Sequence, residues 1–269
     1  MKEYREAKIL IKAFTIVELL TVIAIIALLS ALLLPTLSLV KEKARAIQCA
    51  SDLRQLNLGW TMYSSSQEGR LVPNHPYPAV ASKKWIHGTL ALGKRDHTDN
   101  TNIFHLRTNM LASYAEEFRI YKCPSDRTRN PFTQAGVVRT LPWTRSVGIN
   151  QFMAGVDSQN YKTYFKIDSI DFPSERFVFV NQRADTYENG YFMVGMNKIF
   201  DRNEYRWHEY IERYHGDKTP VNFADGHVEI HKWLTTWPGM ANEFETGKRI
   251  RSPGNSDLEW INTHATEYK

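Results

Sequence analysis

The chain has 269 residues, 34 Lys and Arg against 29 Asp and Glu, and a formal net charge of +5. Its 14 Gly and 11 Pro exclude a collagenous or low-complexity chain, and its two cysteines exclude a disulfide-built mini-fold and a four-cysteine zinc site. The length allows one sizeable domain plus an appendage or two small domains, and the two charge signs are mixed along it rather than clustered as in a nucleic-acid binder.

Residues 1–13 carry Lys2, Arg5, Lys8 and Lys12 against Glu3 and Glu6, and end in the small residue Ala13. Residues 19–40 then pass without a formal charge. As a helix this run spans roughly 33 Å, enough to cross a bilayer. It is longer than the apolar region of a secretory signal, and the nearby Ala44-Arg45-Ala46 lies beside Lys41, Glu42 and Lys43, a poor cleavage site. Glu18 stands at the edge of the run, where a lone carboxylate is costly and calls for a cation. Cutting after Ala13 would create one in the α-amino group of Phe14, on the same chain or a neighbour. Basic residues flank the run on both sides, Lys2, Arg5, Lys8 and Lys12 against Lys41, Lys43, Arg45 and Arg54, so charge does not set its orientation.

Past residue 40 the pattern turns periodic, with Ala46, Cys49, Leu53, Leu56, Trp60 and Tyr63 spaced by three and four. This predicts that the helix leaves the bilayer and lays one apolar face on a sheet of its own chain. A helix over residues 14–67 would be on the order of 80 Å long, with a bend at Pro35, whose ring removes a backbone hydrogen bond.

Residues 68–102 are rich in Gly, Pro, Asn and Asp and read as loop, with Trp85 and Ile86 buried. Leu106, Met110, Leu111, Tyr114 and Phe118 predict a short helix within 103–119. Strand signals follow at 145–149, 176–180 and 221–224. Asp225-Gly226 suits a two-residue hairpin turn, with His227 to Trp233 alternating as the return strand. The fold class is therefore α+β: a long N-terminal helix, half membrane-spanning and half amphipathic, packed on an antiparallel sheet. The tail at 249–269, with Pro253-Gly254-Asn255-Ser256, reads as an exposed extension.

Phe14-Thr15-Ile16-Val17-Glu18-Leu19-Leu20, behind a basic leader and ahead of an apolar run with Pro35, resembles the prepilin-type leader of type IV pilins and type II secretion pseudopilins. Ala13 stands where that family usually has Gly. A second resemblance lies in His215, nine residues, then Asp225-Gly226, which is similar to the H-X9-DG domain that accompanies such leaders. Cys49-Ala50-Ser51-Asp52-Leu53-Arg54-Gln55-Leu56 resembles that family's C-x-x-N-L-[KR]-Q-L, with Asp52 in place of Asn, and Cys123-Pro124-Ser125-Asp126 matches its C-P-S-D. Ile170-Asp171-Phe172-Pro173-Ser174 before an apolar strand also fits.

The resemblance implies a pilin-like fold and five segments: a leader (1–13), an assembly helix (14–40), its amphipathic continuation (41–67), an extracytoplasmic domain (68–248) and a C-terminal extension (249–269). It implies cleavage between Ala13 and Phe14 by a prepilin peptidase and N-methylation of Phe14. Glu18 would pair with a methylated terminus during assembly with other pilin-like subunits. It also implies a single-pass protein of the bacterial inner membrane, with a cytoplasmic N-terminus and the large domain outside. Major pseudopilins can bind calcium through a carboxylate loop. Asp168, Asp171, Asp185 and Glu188 show no calcium-loop spacing, so no cofactor is assigned and calcium stays open without a named ligand set.

Cys49 and Cys123 have two readings: a disulfide closing a loop of about 75 residues, worth a few kcal/mol, or two separate buried thiols. His227 and His231, on a strand, would lie roughly 13 Å apart, too far to share a metal. His215 and Asp225 can form a turn-fixing hydrogen bond or, less favoured, a metal or acid–base pair. Trp233 and Trp237 are the best candidates for an exposed aromatic face. No nucleophile elbow, phosphate loop or dinucleotide fingerprint is present, and nothing points to an enzyme. The expectation is a pseudopilin-like structural subunit. Its rivals are a non-assembling anchored protein that binds a glycan or protein, and a metalloenzyme using His215 and Asp225.

Overall fold

The computed structural model describes residues 15–74, 85–88, 98–134, 137–155, 157–184, 190–194, 201–235 and 250–269. Ala13, Phe14, Asp185, Glu188 and Trp237 lie outside the described residues. The chain divides into two compact units, Met1–Glu42 and Lys43–Lys269, and helix α1 (Ile16–Ser66) begins in the first and ends in the second.

In the first unit every described side chain of residues 15–41 is exposed, and this stretch is long and apolar enough to cross a membrane. The helix starts in a reciprocal cap that the pattern Thr-x-x-Glu encodes. Thr15 Oγ1 accepts the Glu18 amide at 3.2 Å, and Glu18 Oε2 accepts the Thr15 amide at 2.8 Å. The Thr15 hydroxyl also donates to Glu18 Oε2 at 2.7 Å. The helix continues through Pro35. Lacking an N–H, Pro35 cannot serve the carbonyl four residues earlier, at Ala31, while the Thr36 and Ser38 hydroxyls donate back to the carbonyls of Leu33 and Pro35.

In the second unit the predicted apolar stripe of α1 is buried at all six positions, Ala46, Cys49, Leu53, Leu56, Trp60 and Tyr63. Large apolar side chains fully buried in this way, such as Leu56 and Trp60, contribute roughly 1.5–3 kcal/mol each or more. They pack on a five-stranded sheet of order β5-β3-β4-β7-β8, made of β3 (Val147–Asn150), β4 (Phe177–Asn181), β5 (Tyr191–Phe192), β7 (Lys218–Phe223) and β8 (Val228–Lys232). All its pairings are antiparallel except β3 with β5. The fold is therefore α+β, with a mostly antiparallel sheet. The hairpin β1 (Arg129–Gln134) with β2 (Val137–Pro142), and the pair β6 (Arg206–Trp207) with β9 (Ile250–Arg251), form separate small sheets.

Both faces of the sheet are covered. One carries Val147, Ile149, Val178 and Phe179 against Leu53, Leu56 and Trp60 of α1. The other carries Phe177, Val180, Val221 and Phe223 against Leu258, Ile261 and Ala265 of α3 (Ser256–Ala265). The C-terminal segment therefore does not form the expected exposed extension. Asn255 caps α3 by accepting the amides of Asp257 and Leu258, both at 3.0 Å. The buried Asp257 carboxylate accepts the amides of Leu234 and Thr235, each at 2.9 Å.

Three further expectations change. The helix expected within 103–119 shrinks to α2 (Phe104–Arg107), because the Asn109 side chain donates to the Leu106 carbonyl and accepts the Leu111 amide, closing a turn instead. The hairpin turn is longer than two residues. Phe223 N–H donates to the His227 carbonyl, Gly226 N–H to the Phe223 carbonyl, and of Asp225 and Gly226 only Gly226 has positive φ, at 93°. The loop is three residues, Ala224 to Gly226, with the left-handed glycine in its last position. Trp233 is not exposed: it is 2% accessible, packed on the α3 side, with its indole N–H donated to Thr219 Oγ1.

Candidate functional site: a buried Cys–Cys–His cluster

Cys49, Cys123 and His215 converge from three elements. α1 presents Cys49 on its buried stripe. Cys123 opens the Cys123-Pro124-Ser125-Asp126 turn, which is closed by the Asp126 amide donating to the Cys123 carbonyl at 2.9 Å. His215 precedes Gly216 and Asp217, with φ of 62° and 60°, a left-handed pair that reverses the chain into β7. The two Sγ atoms and a ring nitrogen of His215 all lie within 4.8 Å of one another. The three residues are 1%, 3% and 5% exposed, respectively.

The groups around them hold a fixed orientation. Cys123 N–H donates to Ser146 Oγ at 2.9 Å, the Ser146 hydroxyl donates to Asn181 Oδ1 at 2.7 Å, and Asn181 Nδ2 donates to Cys49 Sγ at 3.1 Å. Because Ser146 occupies the amide oxygen, Asn181 turns its N–H toward sulfur. His215 Nε2 faces Cys123 Sγ at 3.2 Å and Nδ1 faces Ser125 Oγ at 3.5 Å. The Cys123 thiol is pulled well below its ordinary range by its contact with Cys49 and, against the cost of burial, by the His215 ring. The Cys49 thiol moves up, pushed by Cys123 and by burial.

Asp126 steadies the turn beside this cluster. It accepts the Tyr214 hydroxyl at 2.9 Å and the Thr128 amide at 2.7 Å, and lies 3.5 Å from Lys122 Nζ. Burial lowers the Lys122 pKa. Cys123 also lines a cleft of about 850 Å³ together with Asp52, Gln55, Ile103, Phe118 and Trp143.

The candidate residues singled out by their motifs redistribute accordingly. His215 does not pair with Asp225, whose carboxylate instead meets His227 Nδ1 at 2.6 Å in the hairpin turn. The turn-fixing role expected of that carboxylate is kept with a different histidine. His231 Nδ1 likewise meets Glu229 Oε1 at 3.0 Å, so His227 and His231 each face a carboxylate two residues back and share no site. Asp171 pairs with Lys162, and among the described residues no carboxylate cluster forms around Asp168 or Asp171. Cys49 and Cys123 are both thiols, buried but adjacent, which falls between the two readings of the sequence. What sequence reasoning missed is that His215 joins the two cysteines at one point. No protein-family model, curated protein or solved structure matches the chain.

Proposed function

We propose that this chain is a membrane-anchored, pilin-like structural subunit, processed after Ala13 and assembled through the apolar half of its N-terminal helix. The observation that carries this reading is the contrast within α1: residues 15–41 are exposed, while the stripe from Ala46 onward is buried in the folded unit. An uncharged apolar surface of that length is unfavourable in water and needs lipid or like helices around it. Glu18 adds support. Its Oε2 serves the local cap, and Oε1 has no hydrogen bond among the described residues, leaving one oxygen for the terminal ammonium of Phe14 or of a neighbouring subunit. The role is structural rather than catalytic, exercised from the inner membrane with the large unit outside the cytoplasm.

Mass spectrometry of the membrane-resident protein tests the processing step: an N-methylated Phe14 terminus is expected, and an intact Met1 terminus overturns it. Glu18→Ala should abolish recovery of the chain in cross-linked assemblies.

A second reading draws on the cleft of about 850 Å³ beside Cys123: an anchored protein that binds a ligand without assembling. Under that reading Glu18→Ala leaves function untouched, and Trp143→Ala in the cleft removes it.

A further inference from the structure

We propose that Cys49, Cys123 and His215 bind one zinc ion, which pins the extramembrane half of α1 to two distant turns of the folded unit. Geometry is the first argument. Ligands held by one tetrahedral zinc at about 2.3 Å for sulfur and 2.1 Å for nitrogen lie roughly 3.5–3.8 Å apart. Nε2 and Sγ of the His215–Cys123 pair stand at 3.2 Å, and all three ligand atoms fall within 4.8 Å of one another, so an ion is accommodated by opening that pair by a few tenths of an ångström and closing the other two by about an ångström at most.

The second argument is the donor set and its surroundings. Two sulfurs and an imidazole suit a soft or borderline cation, and exclude calcium and magnesium, which take oxygen. Each ligand also has an outer partner of the right polarity. Asn181 offers an N–H to Cys49 sulfur, the sense that stabilises a thiolate, and Ser146 holds the amide that way round. Ser125 Oγ lies at Nδ1 of His215, where it can accept that ring proton and leave the Nε2 lone pair for the metal. A disulfide between the two cysteines would use neither the imidazole nor the amide donor.

Charge selects among soft cations. Binding proceeds as two thiols plus Zn²⁺ giving a zinc dithiolate and two released protons, so the buried site ends neutral. Copper(I) on the same ligands would leave a net negative charge at residues that are 5% exposed or less, which costs free energy without a partner. Zinc takes a fourth ligand, a position these three residues leave to water, and of the three Cys123 lines the cleft.

The test is elemental analysis of the full chain purified from membranes in detergent without chelator. One zinc per chain is expected in the wild type, falling at least tenfold in Cys123→Ser and in His215→Ala. Because those variants can lose structure, the metal-stripped wild type is also titrated with Co²⁺ alone. A tetrahedral cobalt spectrum with a thiolate-to-metal band at one equivalent supports the site. Metal-free wild type with its thiols blocked to alkylation until reduction, meaning a Cys49–Cys123 disulfide, overturns the proposal. So do metal-free wild type with both thiols alkylated at once, zinc that persists in both variants, and stoichiometric copper in place of zinc.

Discussion

Asn57 of α1 donates from Nδ2 to Asn222 Oδ1 of β7 at 2.7 Å and to the Phe223 carbonyl at 3.0 Å, joining residues 165 positions apart inside the core. Both side chains are almost wholly buried. Asn222 is held in turn, its own Nδ2 donating to the His227 carbonyl at 3.1 Å, so the acceptor faces the helix and not the hairpin turn. A buried polar pair of this kind fixes the rotation of α1 on the sheet, since turning the helix by one position leaves the Asn57 N–H donor and the Asn222 oxygen unmatched.

Asn57→Leu removes the donor and leaves the Asn222 oxygen buried without it, at an expected cost of about 1–3 kcal/mol. Urea unfolding of the detergent-solubilised chain measures this. A loss below about half a kcal/mol would show that the pair adds nothing beyond shape.

Glu212 gives the protein a pH dependence. Burial raises its carboxyl to about 7, against the lowering effect of the Tyr214 hydroxyl and the Arg213 amide, and Asp126 adds to the rise. The folded state therefore holds a proton that the unfolded chain releases near its ordinary value of 4.5. Below that value both states are protonated and the group is neutral for stability. Stability attributable to Glu212 falls as pH rises from there to about 7, and is constant above. The full effect is on the order of 3 kcal/mol at most. Glu212→Gln should match the wild type at pH 4 and exceed its melting temperature at pH 8; equal melting at both values contradicts the assignment.

The C-terminal helix offers a test of core membership. Leu258→Ala or Ile261→Ala is expected to cost about 2–5 kcal/mol, as for other deletions of buried branched side chains. Amide hydrogen exchange should show protection across α3 comparable to β4 and β7. Exchange as fast as in an unstructured tail would instead restore the view of residues 249–269 as an extension.

That helix also shows where the sequence was legible and where it was not. The α1 stripe was readable because one strong period runs through Ala46 to Tyr63, and β4 was readable as an unbroken apolar run, Phe177 to Val180, the pattern of a strand buried on both faces. Pro253-Gly254 reads as a chain break, which masks the cap residue Asn255 and the helical spacing of Leu258, Ile261 and Ala265 that follows it. The failed helix after Ile103 turned on Asn109 competing for backbone partners, which periodicity does not register. The meeting of Cys49, Cys123 and His215 was out of reach for a different reason. Each residue was visible in its own motif, but their proximity depends on how β4 and two turns stack under α1.

The cap at Thr15 separates two roles that Glu18 combines. Thr15→Val removes the hydroxyl that meets both the Glu18 amide and its carboxylate, and should weaken the first turn by about 1 kcal/mol while keeping the charge. Under the assembly reading this variant still enters cross-linked assemblies and Glu18→Ala does not. Equal loss in both would mean that the carboxylate acts only as a helix cap.

The sheet is covered on one side by a helix that precedes all its strands in the chain and on the other by one that follows them all. A chain made only as far as Phe223 already contains α1, β3, β4 and β7, yet Phe177, Val180, Val221 and Phe223 still lack the Leu258, Ile261 and Ala265 side of their core. Until Leu258 and Ile261 dock, that side of the core stays partly open to water, which is unfavourable for its apolar side chains.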